Sequence, residues 1–173
     1  MVEATVSDIQ INSGVQMGVS SAAVHNHLEL LADMGRDFAS NQDLEKTLRR
    51  AVERITDYVD AEAGALFMLS PCGLKLQCNA CVGPVEINGL EIAADQGIVG
   101  FCVQKDAGRI VRDVSKDPDF NASVDDETGF KTKSILCAPM SVKGERIGAI
   151  ELINKRGGDG LFDDDDLHLL QAL

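Results

Sequence analysis

From Ala22 onward, apolar residues recur every three or four positions: Val24, Leu28, Leu31 and Phe38, with Leu30 and Met34 widening the stripe. This spacing predicts an amphipathic helix through about Ala39. A second stripe, Leu44, Leu48, Val52, Ile55 and Val59, predicts another helix that ends near Asp60, with Ser40 or Asn41 placed to cap it. The period then changes. Ala63 to Leu69 is a short apolar run, Pro71-Cys-Gly73 has turn chemistry, and Leu74 to Cys81 alternates enough to pair back as a hairpin. Residues 82–90 contain Gly83, Pro84 and Gly89 and predict a loop before a brief strand at 91–93.

A helix is predicted from about Ile98 to Lys105, ending near Gly108, followed by extended chain from Arg109 to Val114. Lys116-Asp-Pro-Asp-Phe120 turns away, and Asn121 to Gly129 reads as a short helix or turn. The two clearest strands are Ser134 to Val142 and Arg146 to Asn154, joined at Lys143-Gly-Glu145. Asp163 to Asp166 place acidic side chains in the first turn of a final helix continued by Leu167, Leu169, Leu170 and Leu173. Helices at both ends of a hairpin-rich sheet predict an α+β sandwich. Residues 1–20, rich in Ser, Gly, Val and Gln without periodicity, read as a flexible lead-in. Residues 21–40 then form a connecting helix, and 41–173 the domain. Because the last helical stripe runs to the final residue, an output module is expected downstream.

Composition narrows the function. The 173 residues are 45% hydrophobic and 25% charged, enough for one domain with a real core. A formal net charge of −12 argues against nucleic acid or an anionic membrane as partner, since both demand clustered Lys and Arg. No apolar run approaches the roughly 18–20 residues of a membrane span, and the acidic N-terminus lacks the basic start of a secretion signal, so the chain reads as cytoplasmic. Five cysteines fit reduced thiols better than a disulfide framework. Cys78 and Cys81 form a CxxC, but strand residues three apart face opposite sides, which predicts no metal claw. His25 and His27 diverge on a helix and His168 is remote, so no metal site is expected. The stretch Ala94-Asp-Gln-Gly-Ile-Val-Gly100 has a second kind of chemistry: its glycines permit a tight turn into a helix whose first amides, at Ile98 and Val99, would face a ligand. Such an end attracts phosphate.

Four segments in this order resemble the GAF domain, a sensory module of cyclic-nucleotide phosphodiesterases, cyclases and bacterial regulators. They are Ala94 to Gly100; Asp113 with Asp117-Pro-Asp-Phe120; Thr128-Gly-Phe-Lys-Thr-Lys-Ser-Ile-Leu-Cys-Ala-Pro139; and Ile147-Gly-Ala-Ile-Glu-Leu-Ile-Asn-Lys155. The resemblance spans about Leu44 to Leu173. It implies a central six-stranded antiparallel sheet, with the terminal helices on one face and ligand-binding loops and short helices on the other.

The cyclic-nucleotide branch of that family adds Asn-Lys, a spacer, Phe, three residues and Asp-Glu. Here Asn154-Lys155, Phe162 and Asp166 match, and Leu167 stands where Glu is expected. The resemblance therefore implies a structural salt bridge between Lys155 and Asp166. It also implies that cAMP or cGMP would place its phosphate at the amides of Ile98 and Val99, and its base near Asp125, Thr128, Thr132 and Glu151. The chain departs from that branch at Ala65, where a Ser is usual, and at Asn79-Ala80, where Phe-Asp is usual. The expected role is a regulatory, non-catalytic sensor without cofactor, acting as a homodimer and coupled to an output domain in the same chain. A ligand-free or other-ligand dimerisation platform is the alternative. Reduction of free methionine sulfoxide, which some GAF proteins perform with cysteines, is a third and less favoured reading.

Overall fold

The computed structural model describes residues 21–40 and 43–172; the predicted lead-in, residues 1–20, Asn41 as a cap and Leu173 lie outside the described residues. Helices α1 (Ser21–Ser40) and α2 (Leu44–Val59) lead into β1 (Ala61–Leu69) and β2 (Lys75–Val82), as the change of period predicts. Strand β3 (Glu91–Ala93), helix α3 (Gly97–Lys105), strand β4 (Arg109–Val111), a 3₁₀ turn (Val114–Lys116) and helix α4 (Ser123–Thr128) follow. The hairpin β5 (Ile135–Val142) and β6 (Glu145–Lys155) precedes α5 (Asp164–Ala172). The six strands form one antiparallel sheet in the order β3-β2-β1-β6-β5-β4.

Sheet order explains why β5 and β6 read as near-continuous apolar runs. Both lie inside the sheet, which is covered on both faces. On one face Val52, Ile55 and Val59 of α2 and Leu169 and Leu170 of α5 pack with Leu66, Leu136, Leu152 and Phe162. Full burial of side chains such as Phe162, Leu136 and Leu152 stabilises the fold by about 1.5–3 kcal/mol each. On the opposite face Ile98, Val99, Cys102 and Val103 of α3 pack with Phe67, Leu76, Ile135 and Cys137.

Several expected boundaries move. The cap of α2 is Asp43, not Ser40 or Asn41: its carboxylate accepts from the Lys46 amide at 3.3 Å, while Ser40 still belongs to α1. Leu44, at the first position of α2, is exposed and falls outside the buried stripe. Helix α3 stops at Asp106, which takes a left-handed conformation (φ 51°), two residues before Gly108. Strand β4 ends at Val111 because Asp113 caps the 3₁₀ turn, accepting from the Ser115 amide at 3.1 Å and its hydroxyl at 2.6 Å. The side chains of Val24 and Phe38, predicted to line α1, lie outside those described.

Candidate functional site

Between the α3 face of the sheet and the loops above it lies a pocket of about 900 Å3, counting its open mouth. Its floor comes from β1 and β6, through Ala65, Phe67 and Glu151. One wall is the start of α3. Gly97 has φ +74°, so a side chain there would be strained, and a Cβ on Gly100 would lie 2.8 Å from the Asp95 carbonyl carbon. These two glycines let the turn tuck under the helix. No side chain caps α3, and the amides of Gly97, Ile98 and Val99 donate to no acceptor among the described residues. Gln96, Gly97, Ile98 and Val99 all line the pocket, so these amides border it.

The opposite wall is a clasp. Asp125 of α4 accepts from the Thr132 amide and from the Thr132 hydroxyl, both at 2.7 Å, and so closes the segment between them. Thr128 donates its hydroxyl to the Val124 carbonyl at 2.6 Å. Ile98, Val99, Asp125, Thr128, Thr132 and Glu151, named from sequence as ligand contacts, thus border a single cavity. The two threonine hydroxyls are held by protein partners, however, and act first as braces of the clasp.

Glu151 differs from them. It is 9% exposed, and its side chain makes no hydrogen bond or ion pair with any described residue. Burial pushes its carboxyl up to about 7.

Sequence reasoning missed the aromatic lining. Phe67, Phe120 and Phe130 supply it from three separate segments, and no local spacing links them. Phe120 is fixed indirectly: Arg109 grips Asp117 and Asp119, each at 2.7 Å, and its guanidinium lies 4.3 Å from the Phe101 ring centroid.

Behind the pocket, Asn154 is buried in a left-handed conformation (φ 57°). Its Oδ1 accepts from the amides of Lys133 and Ser134 at 2.7 and 3.3 Å, and its Nδ2 donates to Glu62 Oε2 and the Lys131 carbonyl at 2.8 and 2.9 Å. It thereby joins β6, β1 and the segment between the clasp and β5. Lys155 Nζ meets Asp166 Oδ1 at 2.7 Å and Oδ2 at 2.9 Å, the pairing expected of these two residues.

Residues 43–173 match the family described as the GAF domain. The chain belongs to the GAF domain family. A dual 3',5'-cyclic-AMP and -GMP phosphodiesterase 11A of Takifugu rubripes is 28% identical over 158 residues, which cover 85% of this chain and 18% of that protein. The chain thus spans less than a fifth of that relative's length. In structure, this GAF domain superposes with a TM-score of 0.74 on the GAF domain of a phosphoenolpyruvate-protein phosphotransferase from Coxiella burnetii, 19% identical, covering 86% of this chain and 88% of that one. A free methionine-R-sulfoxide reductase from Neisseria meningitidis gives 0.71 at 18% identity, covering 92% and 89%. At such identities the likeness is one of fold.

The cysteines of this GAF domain are arranged differently from the expectation. Leu66 pairs with Ala80 and Phe67 with Cys78, leaving Asn79 as an extra residue in β2. This bulge reverses the alternation, so Cys78 and Cys81 share the pocket-side core rather than facing opposite sides. Both thiols are buried, and burial pushes both above the ordinary thiol value; the Glu86 carboxylate, accepting from Cys81 at 2.8 Å, adds to the rise there. Such thiols stay protonated, whereas nucleophilic cysteine chemistry needs an accessible thiolate.

Proposed function

We propose that this GAF domain senses a purine cyclic nucleotide, cAMP or cGMP, and regulates an output domain in a longer signalling protein. The observation that carries this reading is the convergence on one cavity of free helix amides and a buried, unpartnered carboxylate, with aromatic surfaces between them. The amides of Ile98 and Val99 suit a cyclic phosphate, whose single negative charge meets about half a positive charge at the helix start. Phe67, Phe120 and Phe130 offer apolar surface to a base, and the carboxylate of Glu151 offers it an acceptor. The likeness to a phosphodiesterase acting on both cyclic nucleotides supports the same ligand class. A regulatory role is preferred over a reductase role because the paired thiols are buried and protonated.

A homodimer in the cytoplasm completes the proposal. Among the described residues all five cysteines are free, and no helix is long and apolar enough to cross a membrane. On α1, Leu30 is buried while Leu28 is 59% exposed and Leu31 is also exposed, a face suited to a second copy. Light scattering showing only monomer at high concentration would remove the dimer from the proposal.

A thermal-shift panel tests the ligand. A nucleotide at 100 times its dissociation constant should stabilise the domain by about 2.7 kcal/mol, or about 5–10 °C for a chain of this size. If millimolar cAMP and cGMP both leave the melting curve unmoved, the nucleotide reading fails and a dimerisation platform replaces it.

A further inference from the structure

Glu151 sits mid-sheet in a cross-strand row. It pairs with Cys137 of β5 on one side and Ala65 of β1 on the other, and Ala65 in turn pairs with Cys81 of β2. A thiol and a methyl flank it, and among the described residues no Lys or Arg lines the cavity. Asp125, the other lining carboxylate, is already bonded to Thr132 through both oxygens. Glu151 therefore has the lining carboxyl whose hydrogen-bonding capacity is unspent among the described residues. A buried polar group left without partners costs stability, so this carboxyl suits a ligand that completes its bonding.

We propose that Glu151 discriminates the purine: as a carboxylate it accepts two N–H bonds from the edge of guanine, and as a carboxylic acid it exchanges one donor and one acceptor with the edge of adenine. This rests on the cyclic-nucleotide reading of the pocket. The chemistry follows from the two bases. Guanine presents two adjacent donors, N1–H and N2–H, which match the two acceptor oxygens of an ionised carboxyl. Adenine presents the N1 acceptor beside the N6–H donor. An ionised carboxyl would set one oxygen against N1 in repulsion, whereas the neutral acid donates to N1 and accepts from N6.

Protonation of Glu151 falls in the range where the choice changes. Burial holds its carboxyl at about 7. The titratable groups around it are thiols and one carboxylate that is already hydrogen-bonded. Cys137 from β5 and Cys78 and Cys81 from β2 are thiols pushed upward, and β1 lines the cavity with Ala63, Gly64, Ala65 and Phe67, none of them titratable. From α3 the Cys102 thiol donates to the Cys137 carbonyl at 3.7 Å, and from α4 Asp125 is held by Thr132. With a midpoint near 7, the neutral fraction falls from roughly 90% at pH 6 to roughly 10% at pH 8.

Calorimetric titration of the full chain with cAMP and with cGMP at pH 6, 7 and 8 tests the inference. Between pH 6 and pH 8 the affinity for cAMP should fall by up to about tenfold, and that for cGMP should rise by a similar factor. The Glu151→Gln protein supplies one donor and one acceptor at every pH. It should keep the cAMP affinity of the low-pH form throughout and lose the opposing pH slopes, with thermal melts at each pH reporting that it is folded. Binding of either nucleotide with a selectivity ratio constant from pH 6 to pH 8 overturns this inference and leaves the cyclic-nucleotide reading standing. Equal pH slopes in the wild-type and Glu151→Gln proteins overturn it as well. No binding of either nucleotide at any pH overturns both.

Discussion

Replacing Asp166 by Ala tests whether the Lys155–Asp166 pair braces the domain. Both side chains are mostly enclosed, 17% exposed for Lys155 and 13% for Asp166, and both carboxylate oxygens meet the ammonium. Asp166 has a second duty. Its Oδ2 accepts from the Asp163 amide at 3.2 Å while Asp163 Oδ1 accepts from the Asp166 amide at 2.9 Å, a reciprocal cap at the start of α5. Removing one partner of a fully buried pair costs about 3–5 kcal/mol, and an exposed pair contributes about 0–1 kcal/mol. The pair lies nearer the buried limit, but the flexible Lys155 stem can carry its ammonium toward water, which trims the loss to about 2–3 kcal/mol. The capping contact is exposed and adds about 0.5 kcal/mol. Asp166→Ala should therefore cost about 2–4 kcal/mol, lowering Tm by about 5–15 °C, with an unchanged urea m-value. Asp164→Ala, in the same acidic run but with an exposed side chain, should cost less than about 1 kcal/mol. Half-molar salt should leave most of the difference intact, because enclosed charges are screened little. Melting temperatures of the two variants within a degree of each other, or a difference that salt abolishes, would refute the reasoning.

Asn154→Ala should cost about 3–4 kcal/mol in urea unfolding, because it orphans the Lys133 amide and the Lys131 carbonyl and puts in a left-handed conformation a residue that tolerates it less well than Asn; Asn154→Gly should lose less. For Glu151 the folded carboxyl titrates near 7 against 4.5 for an ordinary glutamate, so the unfolded chain releases its proton first and stability falls as pH rises. The full contribution is present below about pH 4.5 and about 3 kcal/mol is lost by pH 8; Glu151→Gln should remove this slope, as denaturation at pH 5 and pH 8 will show. Thr132→Ala removes the hydroxyl bond to Asp125 but keeps the amide bond, so the free domain should lose under about 1 kcal/mol, while calorimetry should find nucleotide affinity weakened about fivefold.

The features legible from sequence are those with one physical cause close by in the chain. The stripe from Leu48 to Val59 has helical period, and the runs from Ile135 and Arg146 are apolar on both faces because both strands are interior. The pairing of Lys155 with Asp166 came from a spaced motif. The illegible features depend on register and on distant segments. Nothing around Asn79 signals a bulge, yet that one extra residue turns Cys78 and Cys81 to the same side. Phe67, Phe120 and Phe130 meet only once α3, α4 and the sheet are assembled, so no window of sequence contains the aromatic wall. At α2, Ser40 and Asn41 had good capping chemistry, but α1 runs on through Ser40, leaving Asp43 the position from which a side chain reaches the first free amides.

Glu151 shows where local pattern and tertiary position diverge. By residue type alone a glutamate on a strand suggests a solvated position. Sheet order denies it that position: β6 lies between β1 and β5, so no edge opens beside it, and the segments above it enclose the pocket. At the centre of the sheet it exchanges hydration for a cavity, and without a cation nearby its carboxyl rises toward neutrality. The same burial that weakens the free domain at high pH prepares the carboxyl to meet a base edge in either protonation state. Stability lost in the empty pocket and selectivity gained in the occupied one should consequently vanish together in Glu151→Gln.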